Sequence, residues 1–191
     1  MQGQGQSVTL ENLACVRGGR ELFAGLNLSL SAGGAALVSG PNGVGKSSLL
    51  RLIAGLLTPM AGTVSVEGRI AFTSETTALD RAQPLSRALD FWARIDGGNV
   101  QSGLEAMRIA HLADVPVRIL STGQKKRAVI AGVIAGGADI WLLDEPANGL
   151  DLASIALLET AIAKHRTQGG IVIVASHQPI KLDDAQRVAL S

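Results

Sequence analysis

Two hydrophobic periods alternate along the chain. Leu26-Asn27-Leu28-Ser29-Leu30 repeats every second residue, as a half-buried strand does, and Val64-Ser65-Val66-Glu67-Gly68 does the same before a turn. With Val8-Thr9-Leu10 they predict a small antiparallel layer. Three further runs are apolar throughout. Ala35-Ala36-Leu37-Val38 reads as a strand, and Ile140-Trp141-Leu142-Leu143 and Ile171-Val172-Ile173-Val174-Ala175 read as strands covered on both faces of a parallel sheet. Helical spacing puts Leu49, Leu50, Ile53, Leu56 and Leu57 on one face of a helix that Thr58-Pro59 should stop. Ile155, Leu158 and Ile162 stripe another helix, between the two buried strands. Residues 76–135 read mainly as helix, with no strongly apolar strand. The expected fold class is α/β: a mainly parallel sheet core, a small antiparallel β layer and a short helical subdomain at about 76–135. All of it fits a single domain over residues 1–191.

Composition removes several function classes. Seventeen basic and sixteen acidic side chains leave a net charge of +1, so no basic face is implied and no nucleic-acid partner is expected. The longest nearly uninterrupted apolar stretch, residues 129–138, is glycine-broken and too short to span a bilayer. The first seven residues are polar and uncharged after Met1, without the basic start and apolar core of a signal peptide. The single cysteine, Cys15, cannot form an intrachain disulfide, which fits the cytosol. It has no basic or histidine-rich surroundings, so a small buried apolar role is expected of it. A mean hydropathy of +0.29 follows either from a partner-facing surface or from an alanine- and glycine-rich core.

Candidate chemistry begins between the first apolar run and the first helix. Gly40, Pro41, Asn42, Gly43, Val44, Gly45, Lys46 and Ser47 fit the phosphate-binding pattern G-x-x-x-x-G-K-[ST] at every fixed position, and Ser48 continues into the helix. A strand must feed such a loop and a helix must leave it, so that backbone N–H groups converge on an anion. Lys46 can then reach the β- and γ-phosphates, and Ser47 can hold Mg²⁺ through its hydroxyl. Asp144 and Glu145 end the apolar run 140–143, and in α/β sheets the carboxyl ends of strands face the ligand. Asp144 suits the Mg²⁺ shell and Glu145 can polarise an attacking water. Leu120-Ser121-Thr122-Gly123-Gln124 opens a helical stretch, where Ser121 and Gly123 offer a hydroxyl, N–H groups and a positive dipole end. Alone, that string reads as an ordinary helix cap, and His177 alone reads as a structural or solvated histidine.

Taken in order, these motifs resemble the ATP-binding subunit of an ABC transporter. Leu120-Ser121-Thr122-Gly123-Gln124 looks like that family's signature, Ala147-Asn148-Gly149-Leu150-Asp151 like its D-loop, and His177 like its switch histidine. The resemblance implies a P-loop NTPase of ABC type that binds ATP and Mg²⁺. It implies a homodimer in which two copies sandwich two ATP molecules. Lys46 and Ser47 of one copy would then face Ser121 and Gly123 of the second ATPase subunit. Glu145 would activate water, His177 would contact the γ-phosphate and Asp151 would support the interface. A separate integral membrane permease would convert closure into transport, leaving this subunit peripheral to the membrane. His111 and His165 match no motif and are expected to be surface or packing residues.

Finer details resemble, within that family, the ATP-binding subunit of the haem exporter of bacterial cytochrome c maturation. They are Val16-Arg17-Gly18-Gly19-Arg20, Asp114-Val115-Pro116-Val117-Arg118 and Ser176-His177-Gln178-Pro179. Two positions depart from the family pattern. The glutamine expected after Phe72 is missing; Thr73-Ser74-Glu75-Thr76-Thr77 stands there, Glu75 being the nearest long polar side chain, and Gln83 lies too far along. The aromatic ring that commonly stacks on adenine is also missing, since the chain has no tyrosine; Arg17 occupies about that position, and Phe23 is another candidate. Three other readings stay in view: an ABC ATPase for another substrate, a regulatory ABC-type ATPase without a permease, and a non-hydrolysing nucleotide sensor. The regulatory class usually fuses two nucleotide domains or carries a long coiled coil, for which 191 residues leave no room. Glu145 and His177 argue against the sensor.

Overall fold

A computed structural model describes residues 5–74 and 79–191, with backbone alone at 95 and 96. Its antiparallel layer has three strands: β1 (Ser7–Arg17), β2 (Arg20–Ser31) and β4 (Ala61–Glu67), in the order β2-β1-β4. The alternating segments are the middles of longer strands, with Val8 opposite both Leu30 and Val66. The second sheet is parallel throughout. It is built from β3 (Ala35–Ser39), β5 (Ile70–Thr73), β6 (Ile140–Asp144), β7 (Ile171–Ala175) and β8 (Gln186–Ala189), ordered β5-β6-β7-β3-β8. Every residue of β6 and β7 is buried, as continuous apolar runs require. The edge strand β8 is mostly exposed and has no apolar run to announce it.

Strand alternation divides the interior in two. Ile140, Leu142, Ile171 and Ile173 point toward α1 (Lys46–Ile53) and the antiparallel layer, packing on Leu49, Leu50, Val8 and Leu10. Trp141, Leu143, Val172 and Val174 point the other way, toward α5 (Leu152–Thr167) and the helices of residues 85–136. Those are α2 (Leu85–Asp96), α3 (Val100–Ala106) and α4 (Thr122–Gly136), with two short 3₁₀ turns between α3 and α4. Leu158 and Ile162 of α5 are buried as their spacing predicts, and Ile155 is half-buried. The glycine-broken stretch 129–138 is the core helix α4 and its end. Among the described residues no helix is long and apolar enough to cross a membrane.

Helix α1 is shorter than its apolar spacing predicts. It ends at Ile53, and Leu56 is 62% exposed rather than on the buried face. The cause is local. Gly55 takes φ of 70°, donating its N–H to Leu52 O, while the Leu56 N–H reaches back to Arg51 O at 2.8 Å. This pair of bonds is a Schellman cap, which closes the helix well before Pro59. Cys15 is buried as expected, and burial pushes its thiol pKa up against the opposing charge of Arg17. His111 is exposed on the first 3₁₀ turn. His165 stacks on Trp141, with ring centroids 3.9 Å apart and planes 8° from parallel.

Candidate nucleotide site

Strand β3 runs straight into the glycine-rich loop and α1 leaves it, so the loop has both flanks its pattern needs. Gly45 sits at the N-cap with φ of 120°, where a Cβ would lie 3.1 Å from the Leu22 Cβ; a side chain there would meet both strain and crowding. No side chain caps α1, so its first-turn N–H groups remain for a ligand. Val44 turns into the core and fixes the loop from below. Lys46 is buried, and its Nζ donates to Gly40 O at 2.9 Å and Pro41 O at 3.2 Å. The loop's own carbonyls thus orient the ammonium.

Ser47 Oγ donates to Asp144 Oδ1 at 3.0 Å, joining the loop to the end of β6. One residue on, Glu145 takes φ of 47°, an uncommon conformation for a non-glycine residue. Its backbone N–H donates to Ala175 O at 2.8 Å, which helps hold the turn. The carboxylate lies between two partners: Oε1 is 3.6 Å from Lys46 Nζ, and Oε2 is 2.8 Å from His177 Nδ1. Oε2 also accepts the His177 backbone N–H at 3.2 Å. Asn148 and Gln178, on the two adjoining loops, are joined by a side-chain hydrogen bond of 3.2 Å.

A cleft of about 560 Å³ opens over these groups. Asn42, Gly43, Gly45, Lys46, Ser47, Ser48, Asp144, Glu145 and Arg17 line it. Gly40 and Pro41 contribute through their carbonyls to Lys46 rather than as walls. Leu22, Arg51 and Ser74 also line the cleft; the first two belong to no motif, and Ser74 lies in the stretch that stands where the family's glutamine is expected. Helical spacing could have found Arg51, which stands one turn beyond Ser47 on α1. Phe23 packs against the core and does not line the cleft. Glu75 lies outside the described residues.

Ser121, Gly123 and Asp151 lie apart from this cleft, at the starts of α4 and α5. Ser121 caps α4 in a reciprocal capping box: its Oγ accepts the Gln124 N–H at 3.3 Å, and Gln124 Oε1 accepts the Ser121 N–H at 2.8 Å. Asp151 caps α5, accepting the Ser154 N–H at 2.7 Å. Hydrogen bonds from Ser154, side chain and backbone, hold the Asp151 carboxyl below its ordinary pKa, and Arg127 adds a smaller pull. A Cβ on Gly123 would lie 3.9 Å from Gly149 O, so the two helix starts adjoin.

A glycine-rich loop between a parallel strand and an uncapped helix defines the fold class as a P-loop nucleotide hydrolase. The profile of the ABC transporter family matches residues 23–148. A second profile, for phosphoglucomutase/phosphomannomutase α/β/α domain I, matches residues 117–184; these hold the β6-α5-β7 unit, a motif many α/β folds share. The chain is 53% identical to the cytochrome c biogenesis ATP-binding export protein CcmA of Sphingopyxis alaskensis, covering 96% of each chain. It is 49% identical to the protein of the same name from Zymomonas mobilis, over 94% of this chain and 82% of that one. Among solved structures it superposes on cbiO1 of Clostridium perfringens, part of the ABC transporter complex cbiONQ, with a TM-score of 0.74. That match has 27% identity and covers 92% of this chain and 80% of that one. The chain belongs to the ABC transporter family, as an ATP-binding subunit of the cytochrome c biogenesis export type. It is an ATPase of that class.

Proposed function

We propose that this chain hydrolyses ATP to power a membrane transporter of cytochrome c maturation, with haem, or a haem-bound carrier, as the molecule moved or released. The observation that carries the catalytic part is the 3.0 Å contact from Ser47 to Asp144, with Glu145 between Lys46 and His177. The transport part is supported by near-full-length identity to proteins named for cytochrome c biogenesis export.

The loop N–H groups and Lys46 bind the triphosphate. Lys46 has three donors, so it can keep a loop carbonyl while turning another N–H to phosphate oxygen. Glu145 accepts the proton of the water that attacks the γ-phosphorus, and His177 holds the carboxylate in place and reaches toward the γ-phosphate. Ser47 Oγ and Asp144 Oδ1 would hold Mg²⁺, an oxygen pair of the kind this hard cation takes. When bound, Mg²⁺ neutralises charge on the β- and γ-phosphates.

Ser121 and Gly123 act on the nucleotide of a second ATPase subunit, with Asp151 supporting that interface. A separate permease completes the complex, and this subunit is peripheral, on the cytoplasmic face of the bacterial inner membrane. Phe91 and Trp92 on α2 are 63% and 40% exposed, an apolar face that a partner would cover. Replacement of Lys46 by Ala in the native organism tests the whole reading. Covalent c-type cytochromes should be lost while b-type cytochromes persist. Normal c-type levels with an inactive ATPase would move the assignment to an ABC transporter of another substrate.

A further inference from the structure

Glu145 leaves β6 with φ of 47°, and a non-glycine residue holds such a conformation only where its surroundings determine it. Its backbone is tied on both sides. The Glu145 N–H donates to Ala175 O at 2.8 Å, and Glu145 O accepts the Asn148 N–H at 3.2 Å. The loop after β7 is folded on a buried serine. Ser176 Oγ donates to Gln178 O at 2.9 Å and accepts the Gln178 N–H at 3.0 Å. Between Ser176 and Gln178, the His177 side chain is 45% exposed, so hydrogen bonds rather than packing must aim its ring.

These pieces close a ring. From Glu145 it passes through the turn to Asn148, whose Oδ1 accepts Gln178 Nε2–H at 3.2 Å. One residue back along the chain stands His177, whose N–H and Nδ1 reach Glu145 Oε2 at 3.2 Å and 2.8 Å. Asn148 and Gln178 therefore supply a link between the two loops that leaves the carboxylate out. Neither residue lines the nucleotide cleft. An amide pair suits this place, because it donates and accepts without bringing a charge beside the carboxylate.

We infer that Asn148 and Gln178 are positioning residues for hydrolysis: their side-chain hydrogen bond holds the loops after β6 and β7 together, so that Glu145 stays aimed at the attacking water. The inference rests on the reading of Glu145 as the base. A carboxylate that takes a proton in the transition state must stand within hydrogen-bond reach of the water, and a shift of about 1 Å is enough to slow the reaction strongly. The two bonds from His177 fix one oxygen of Glu145, but they fix it relative to a loop whose own place must be set. Gln178 sets it, by its backbone on Ser176 and by its side chain on Asn148. Bonds in such a ring support one another, so opening it at Asn148–Gln178 loosens the bonds at Glu145 as well.

The test measures steady-state phosphate release and ATP binding, with Mg²⁺, on the full chain carrying Gln178→Met, Asn148→Leu or both. These replacements keep the side-chain lengths and lose the bond. Each single change should cut kcat about tenfold, while the ATP dissociation constant and the number of binding sites per chain stay at the wild-type values. The double change should cost no more than either single one, because both open the same link. In a Glu145→Gln background, Gln178→Met should lower the residual rate no further, whereas a loss of folded protein would lower it. Turnover within about twofold of wild type in Gln178→Met, losses that multiply in the double change, or a further drop in the Glu145→Gln background would each overturn the inference and leave Glu145 as the base. Wild-type turnover in Glu145→Gln itself would overturn the base assignment, and this inference with it.

Discussion

Two helix N-termini in this molecule use the same backbone chemistry to opposite ends. Helix α1 starts without a side-chain cap, on a glycine-rich loop, beside a buried lysine. Helix α4 starts with a complete capping box, exposed, and apart from the cleft. Both carry the positive end of a helix dipole. The first leaves its N–H groups to be satisfied by an anion, and the second satisfies much of its need from its own Ser121 and Gln124. An uncapped end is a ready binding site, whereas a capped end is stable alone and contributes to a ligand only when another surface brings the ligand to it. That contrast fits an ATPase whose site is half built in each subunit.

Changes on the α1 side should have the largest effects. Glu145→Gln should keep nucleotide binding and cut turnover by about 10²-fold or more, the scale of a lost general base. Steady-state phosphate release and a direct ATP titration on the same preparation separate the two; turnover near wild type would remove Glu145 from this role. On the α4 side Ser121→Ala should cost about 1 kcal/mol of folding stability, since it removes a helix cap. Urea denaturation reads that loss. ATP affinity of the isolated chain should stay as it was, because Ser121 does not line its own cleft.

The smallest effect serves as a control that both helix ends should ignore. Burial pushes the His165 imidazole below its ordinary pKa of 6.5, against the pull of Asp139. The folded state therefore favours neutral His165, and the unfolded chain takes up its proton first. This contribution is full above pH about 6.5 and is lost as pH falls toward the folded pKa. Thermal midpoints should decline from pH 7 to pH 5, and His165→Phe, which keeps a ring against Trp141, should flatten the decline. An equal decline in the variant would assign the pH dependence elsewhere.

Much of this arrangement was legible in the residues because its signals are local. Apolar runs at 140–143 and 171–175 announce doubly covered strands, and the loop motif carries its own flanking elements. The length of α1 was not legible from its apolar spacing, because a Schellman cap at Gly55 overrides the hydrophobic period that continues through Leu57. Strand β8 was missed because a short, exposed edge strand needs no apolar pattern. Leu22 reaches the cleft only through tertiary placement, on a hairpin, so no spacing within the sequence could nominate it, whereas Ser74, just after β5, lies in the stretch where the family pattern places its glutamine. The reciprocal Ser121–Gln124 cap was half visible, since Ser followed three residues later by Gln is a capping-box pattern as well as part of a family signature.

The claim that one nucleotide site is shared between two chains is open to direct measurement. Ser121→Arg disables the α4 side and Lys46→Ala disables the α1 side, so neither homodimer should hydrolyse ATP. Mixed chains should regain one intact site per heterodimer, formed by Lys46 of one and Ser121 of the other, with activity approaching half that of wild type per heterodimer. Heterodimers that form and yet show no recovered hydrolysis would contradict a shared site.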